Sequence, residues 1–465
     1  LSPADSTPRA AAFVQLLRQG SRRGLPFIAL TLIALGWLPG ARAPYQYDDY
    51  VTPVKDPASQ SLRGFVASVP GTLRPLTKLT YAVESSLGFG DAPERRYLNA
   101  LLFLATTLLV VALARARGLG VAAAVALGTL WACHPVHAEL LLALAGRSVL
   151  LSLGLVLLST LLLLRGRAWP AVCCALAAVL ARETAWPWLV VCVGFAARER
   201  GRRYFWGAVV LATLLGGALA LSARMQQLLA FSYRDAGALN RLGLQWAALP
   251  RGIGLWLFDP SGFAVDIDAM VGGWARLAYV LAAAAMYGVA AYLALGSACS
   301  RSTRALAWLW LCLVIPLHSV VPKLDALTAR DVSASSALLL LLAAAPLARA
   351  LVTTRGARVA FWGAAAMVLC WWVPLTRARA RLYIDPVALW SDAAARSTHT
   401  TRPYINLGTL LAQRGRLSEA KRALLEARRR APNDREAAER LAAVDVLIGT
   451  KSLLTPRRPR DTIGP

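Results

Sequence analysis

The first chemical signal is the run Tyr45-Gln46-Tyr47-Asp48-Asp49-Tyr50. Two adjacent acids lie between aromatics, a few residues after an apolar stretch at 25–38. Beside a low-dielectric medium a carboxylate is harder to ionise, so its pKa tends to rise. Such a group can take a proton from an acceptor hydroxyl. The same pair can hold a divalent ion such as Mg or Mn through hard oxygens. The alternative is a solvated loop turn, and an isolated Asp-Asp would not displace that reading.

The neighbouring segments add weight. Arg74-Pro75-Leu76-Thr77-Lys78 comes next, then His134-Pro135-Val136-His137-Ala138-Glu139 with Gly146-Arg147 behind it, then Arg182-Glu183. Ionisable groups beside apolar runs are costly and tend to mark a site or pathway. His134, His137 and Glu139 have a metal-like spacing, but HxxH after a proline break is a weak metal signal. Structural hydrogen bonding or orientation of an acceptor suits them better, with Arg74 and Glu183 beside them. Arg147, Arg182, Lys323 and Arg330 are the cations nearest the apolar runs on the same side. A guanidinium grips phosphate with paired hydrogen bonds. A lipid phosphate at the membrane edge would satisfy them; the alternative is an internal ion pair.

These groups need a scaffold, and composition says which kind. The chain has 465 residues, 57% hydrophobic and only 16% charged, against about 25% charged in a soluble domain. That excludes an ordinary soluble enzyme and a disordered chain, and a membrane protein is the expectation. The net charge is +26. Short basic turns beside membrane spans account for it, so nucleic acid is not an expected partner. The seven cysteines lie in or beside apolar stretches without CxxC spacing, so no disulfide or zinc site is expected.

Apolar runs near 25–38, 97–113, 119–133, 148–164, 168–181, 185–197, 204–221, 275–295, 305–318, 333–347 and 359–374 predict about eleven spans in an all-α polytopic protein. The first resembles a signal peptide but reads as an uncleaved span. Basic turns alternate with segments rich in acids, His and Pro. This places the N-terminus in the cytoplasm and the acid-bearing loops 39–96 and 222–274 outside. Within 222–274, the stretch 242–258 is amphipathic and expected in the membrane interface, or else as a further span. After residue 375 the chain turns polar and helical. Tyr404, Leu407, Gly408, Leu411, Gly415, Ala420, Leu424, Ala427 and Pro432 fill the register of a tetratricopeptide helix pair. The expected organisation is a membrane domain at 1–375, a short repeat domain at 376–449 and a disordered tail at 450–465.

Taken in order, Tyr47-Asp48-Asp49-Tyr50, the 74–81 run RPLTKLTY, the 134–139 run HPVHAE, Gly146-Arg147, Arg182-Glu183, the 315–322 run IPLHSVVP and Ala329-Arg330 resemble one family. With the C-terminal repeat, the chain looks like the transmembrane and tetratricopeptide-repeat O-mannosyltransferases and their bacterial relatives, over roughly 25–445. That family usually has Lys-Glu where this chain has Arg182-Glu183, and Glu-Arg followed by aromatics where Asp331-Val332 follow Arg330.

The resemblance implies a GT-C-like bundle in a bacterial inner membrane. It implies a polyprenyl-phosphate sugar donor and inverting transfer to a protein or envelope-glycan hydroxyl on the periplasmic face. In that scheme Asp48 is the base and Asp49 its partner or an ion ligand. Arg147, Arg330, Lys323 and Arg182 meet the donor phosphate, and the repeats recruit a protein. A transporter would place its polar groups near the midplane. A scaffold would not need so many spans.

Overall fold

The computed structural model describes residues 24–198, 238–265, 267, 272–319 and 327–454, with scattered positions in 201–230. Every regular element among them is a helix. The principal ones are α1 (Gly24–Arg42), α2 (Pro75–Ser86), α3 (Ala92–Ala116), α4 (Val121–Ala132), α5 (Pro135–Leu141) and α6 (Leu144–Leu164). They continue with α7 (Ala168–Ala181), α8 (Trp186–Arg198), α9 (Ala238–Phe258), α10 (Gly273–Leu295), α11 (Arg301–Ser319), α12 (Ala329–Thr353) and α13 (Arg355–Leu382). Helices α14 (Pro386–Arg396), α15 (Arg402–Gln413), α16 (Leu417–Arg430) and α17 (Arg435–Leu454) follow. The disordered tail is expected to begin at 450, but α17 runs on to Leu454, and 455–465 lie outside the described residues.

Among the described residues six helices are long and apolar enough to cross a membrane: α1, α3, α6, α10, α12 and α13. A seventh is reached if α4 and α5, bent by 56° at their break, count as one span. The described residues therefore do not bear out all of the eleven expected spans. Helix α7 has 14 residues, about 21 Å at ~1.5 Å per residue, short of the ~30 Å hydrocarbon core. Helix α8 is a short apolar helix of the same kind. The expected span at 305–318 lies in α11, which is not among the six, and the one at 204–221 lies mostly outside the described residues.

The chain forms two compact units, divided between Ile384 and Asp385, with the short segment after Phe263 assigned to the second. The change of composition at 375 falls inside α13, which runs on unbroken to Leu382. In the first unit α6 packs between α3 and α7, and α9 through α13 follow with sequential helices in contact. Helix α9 buries Leu244, Gln245, Ala247, Ala248 and Leu249. It packs on α10, α11 and α12, so this helix is part of the bundle. Beyond it, Asp266 lies outside the described residues.

In the second unit α14 to α17 pack in succession. Val387, Leu411, Ala420, Leu424, Leu441 and Val444 form its core. Gly408 lets α15 approach α16: a Cβ there would lie 2.6 Å from Leu424 Cγ. The Tyr404 hydroxyl donates to Ala394 O at 2.7 Å and accepts from Arg430 Nη2 at 2.7 Å, tying three helices together.

Candidate functional site

The acid run is held by its second aspartate. Residues Tyr47–Asp49 form a single helical turn. Asp49 is fully buried. Its Oδ2 accepts from Gln46 N at 2.9 Å and its Oδ1 from Ala145 N at 2.8 Å. Burial pushes the Asp49 carboxyl above its usual range, while the amides of Gln46, Ala145 and Leu144 pull the other way. Gln46 Nε2 donates to Tyr383 O at 2.9 Å, a further clasp on the turn. Arg96 holds the approach to it, donating to Leu142 O at 2.7 Å, to Pro44 O at 2.7 Å, and to Ala43 O. The sequence concealed Arg96 because it opens an apolar helix and reads as a membrane flank. The charged Glu94-Arg95-Arg96 triplet before that run was the available signal.

Asp48 points elsewhere. Its side chain is 43% exposed, with Arg330 Nη2 3.5 Å from Oδ2. Arg330 in turn sets Nε 2.8 Å from Glu139 Oε1. Three segments distant in sequence thus meet: the 47–49 turn, the bent α4–α5 pair, and the start of α12. Each is fixed locally. Thr328 caps α12, its Oγ1 accepting from Asp331 N at 3.4 Å. His134 Nδ1 accepts from Val136 N at 3.0 Å, and Nε2 lies 3.0 Å from Trp256 O. The first contact leaves Nε2 as the donor, so His134 fixes the break before Glu139 in one tautomer. His137 is fully buried against Trp131, with ring centroids 4.3 Å apart. Gly146 seals the turn from behind: a Cβ there would lie 2.5 Å from Glu139 O.

Arg182 and Asp331 join Arg330 in lining a narrow crevice with Ser152, Thr184 and Leu313. Arg182 Nη1 donates to Ser148 Oγ at 3.3 Å. Burial, and then the Arg74 guanidinium, hold Arg182 down to about 10, with Glu183 and Asp331 opposing. Arg74 is the single non-glycine residue at positive φ among the described residues, at 59°. It precedes Pro75 and pairs with Glu183 through two hydrogen bonds, at 2.9 and 2.5 Å. A left-handed backbone costs about 1–2 kcal/mol outside glycine, and this bidentate pair holds it in place.

Arg147 lies apart from this cluster. It is fully buried. Its Nε donates to Asn99 Oδ1 at 2.7 Å, Nη1 to Glu84 Oε2 at 2.7 Å and Thr80 Oγ1 at 3.1 Å, and Nη2 to Arg95 O at 2.7 Å. The guanidinium also sits over the Tyr81 ring, 4.1 Å from its centroid. This leaves no open face for a phosphate, and the internal ion pair is what occurs. Glu84, Asn99 and Thr80 gave no sign in the sequence, because they become partners only when α2 and α3 pack beside α6. Lys323 lies outside the described residues. Among those residues no group of three His, Cys, Asp or Glu side chains is arranged to hold a metal ion. Both Asp49 oxygens accept from backbone amides, which leaves Asp48 as the exposed carboxylate of the pair.

The chain is similar to the protein O-mannosyl-transferase Tmtc2 of Drosophila melanogaster, at 32% identity over 165 residues. That stretch covers 32% of this chain and 16% of the fly protein, so the match spans well under a fifth of the relative's length. No family model matches the chain. No solved structure matches it. The likeness to Tmtc2 over that stretch supports a distant relationship between this chain of apolar helices and a protein O-mannosyl-transferase.

Proposed function

We propose that the chain is a membrane glycosyltransferase of the GT-C type. It moves a sugar from a polyprenyl-phosphate donor to an acceptor hydroxyl, with inversion. The observation that carries this is the half-exposed Asp48 carboxylate set 3.5 Å from Arg330, a base beside a phosphate-gripping cation. Asp48 takes the proton of the acceptor hydroxyl as its oxygen attacks the anomeric carbon. The bond from that carbon to the phosphate oxygen breaks, and the electron pair leaves on the lipid phosphate. Arg330, with Arg182 across the crevice, stabilises the charge that develops there. Glu139 positions Arg330, and Glu183 holds Arg74 at the rim. Asp49 and Arg147 brace the site and touch no substrate. A divalent ion such as Mg, if used, has Asp48 as its available carboxylate.

The acceptor in this reading is a Ser or Thr hydroxyl of a protein, as the name of the fly relative suggests. The α14–α17 unit serves as a short tetratricopeptide array that recruits it, because stacked helix pairs make concave binding surfaces. The site faces the periplasm, with the N-terminus in the cytoplasm. The same chemistry on an envelope lipid or glycan is the second reading.

The test uses purified protein in proteoliposomes, radiolabelled polyprenyl-phosphate mannose and envelope extract. Label in a protease-sensitive product, lost in Asp48→Asn, supports transfer to protein. Label in an organic-extractable or polysaccharide product moves the acceptor to the second reading. Transfer that is equal in wild type and Asp48→Asn rejects the site.

A further inference from the structure

A second polar cavity lies at the far end of α12 from Asp48. It has a volume of about 1050 Å³ and is lined by the end of α3, the α10–α11 turn and the last turns of α12. Arg117, Ser300, Ser302, Thr303, Arg349 and Thr353 are among its polar and charged side chains. Arg117 is only 7% exposed. Its Nη1 donates to Ser302 Oγ at 2.5 Å, Thr303 Oγ1 at 2.8 Å and Ser300 Oγ at 3.3 Å, and Nη2 reaches Leu342 O at 3.4 Å. Its buried Nε has no hydrogen-bond acceptor.

A buried guanidinium ordinarily sits against a carboxylate, because an unpaired buried charge is costly. The segments lining this cavity offer none: residues 95–138, 269–324 and 332–384 contain no Asp or Glu. Arg349 adds a second positive charge at the same cavity, and burial together with that charge lowers the Arg117 pKa. Ser300 caps α11, its Oγ accepting from Thr303 N at 3.2 Å, and a helix N-terminus contributes further positive potential. Two cations, a linked set of hydroxyls in which Ser300 meets Ser302 at 3.1 Å and Thr303 at 2.9 Å, and a helix start thus face one space with no negative group among them.

We propose that this cavity binds a phosphate group, as a site separate from the one at Asp48. Arg117 and Arg349 grip its oxygens, and Ser302 and Thr303 complete the shell. Arg330 and Arg349 stand on the same helix, 19 residues apart, about 28 Å at ~1.5 Å per residue. That is about one hydrocarbon thickness, so the cavity opens at the membrane face opposite Asp48. Basic pockets between helices at such a face suit anionic headgroups. The phosphate comes from a lipid headgroup or from solution, and the site does not depend on the transfer reaction.

The test uses the full chain in neutral detergent. The probes are short-chain phosphatidic acid, the matching diacylglycerol, and inorganic phosphate. Binding is read by thermophoresis and by the shift in Tm. We expect saturable binding of phosphatidic acid but not of diacylglycerol, about tenfold or more weaker in Arg117→Gln/Arg349→Gln. Inorganic phosphate binding with the same variant sensitivity assigns a free phosphate as sufficient; its absence assigns the lipid headgroup. If the double variant does not fold, Arg349→Gln alone decides, because that residue is at the surface. No saturable binding of either phosphate probe overturns the proposal. So does binding that survives both variants but is lost in Arg330→Ala.

Discussion

Glu139 and Arg330 form an ion pair, Oε1 to Nε at 2.8 Å, between a bent helix pair and the first turn of α12. The pair orients the Arg330 guanidinium, whose Nη2 lies 3.5 Å from Asp48 Oδ2. Arg330→Ala should leave Asp48 in place, weaken donor binding by roughly tenfold or more and lower transfer. Glu139→Gln should lower transfer less than Arg330→Ala does. Donor titration with both variants checks the order.

Asp48→Asn should abolish transfer while leaving stability within about 0.5 kcal/mol, because a half-exposed, long ion pair contributes little. Parallel transfer assays and thermal melts of the purified variant test this. A melt lowered by many degrees would make Asp48 structural.

Asp49 should behave in the opposite sense. Asp49→Ala removes the acceptor from the Gln46 and Ala145 amides, at a cost of about 1–3 kcal/mol for each buried group left unmet. pH separates the charge from the hydrogen bonds. Burial raises the folded-state pKa of Asp49 above its unfolded value. Its contribution to stability is then full below the unfolded value, about 3.9. It is lost as pH rises through the folded value. Asp49→Asn lacks this titration, so wild type should lose ground to it as pH rises through that window. Melts of both proteins across the acidic range measure the difference.

Arg147→Ala should collapse stability by about 3–5 kcal/mol, since it strands Glu84 beside a buried void. Donor affinity of whatever remains folded should be unchanged. A stable Arg147→Ala protein with weakened donor binding would return Arg147 to the phosphate.

Gly408→Val should disrupt the second unit. The close approach of Leu424 leaves no room for a side chain, and overpacking of this kind costs about 1–3 kcal/mol. Limited proteolysis of the full chain should cut within 402–430 faster than in wild type, with the first unit still intact.

Length, apolarity and basic turns determined by themselves that this is a helical membrane protein, because the hydrocarbon core imposes its thickness on any spanning segment. The Gly408, Leu411, Ala420, Leu424 and Ala427 register likewise named the α15–α16 contact, since helical periodicity fixes which residues share a face. The sequence also singled out Asp48, Arg330, Glu139, Arg74 and Glu183, because charge beside an apolar run is conspicuous. It had no means of dividing those charges into exposed and enclosed groups. Asp48 and Asp49 are neighbours in the chain, yet one faces solvent and the other disappears beneath Ala145. Arg147 and Arg330 look alike in sequence, but only one is enclosed by Glu84, Asn99 and Thr80. The split depends on which backbone amides and side chains arrive from segments tens to hundreds of residues away. Burial and hydrogen-bond satisfaction are properties of that arrival, and only the tertiary structure decides them.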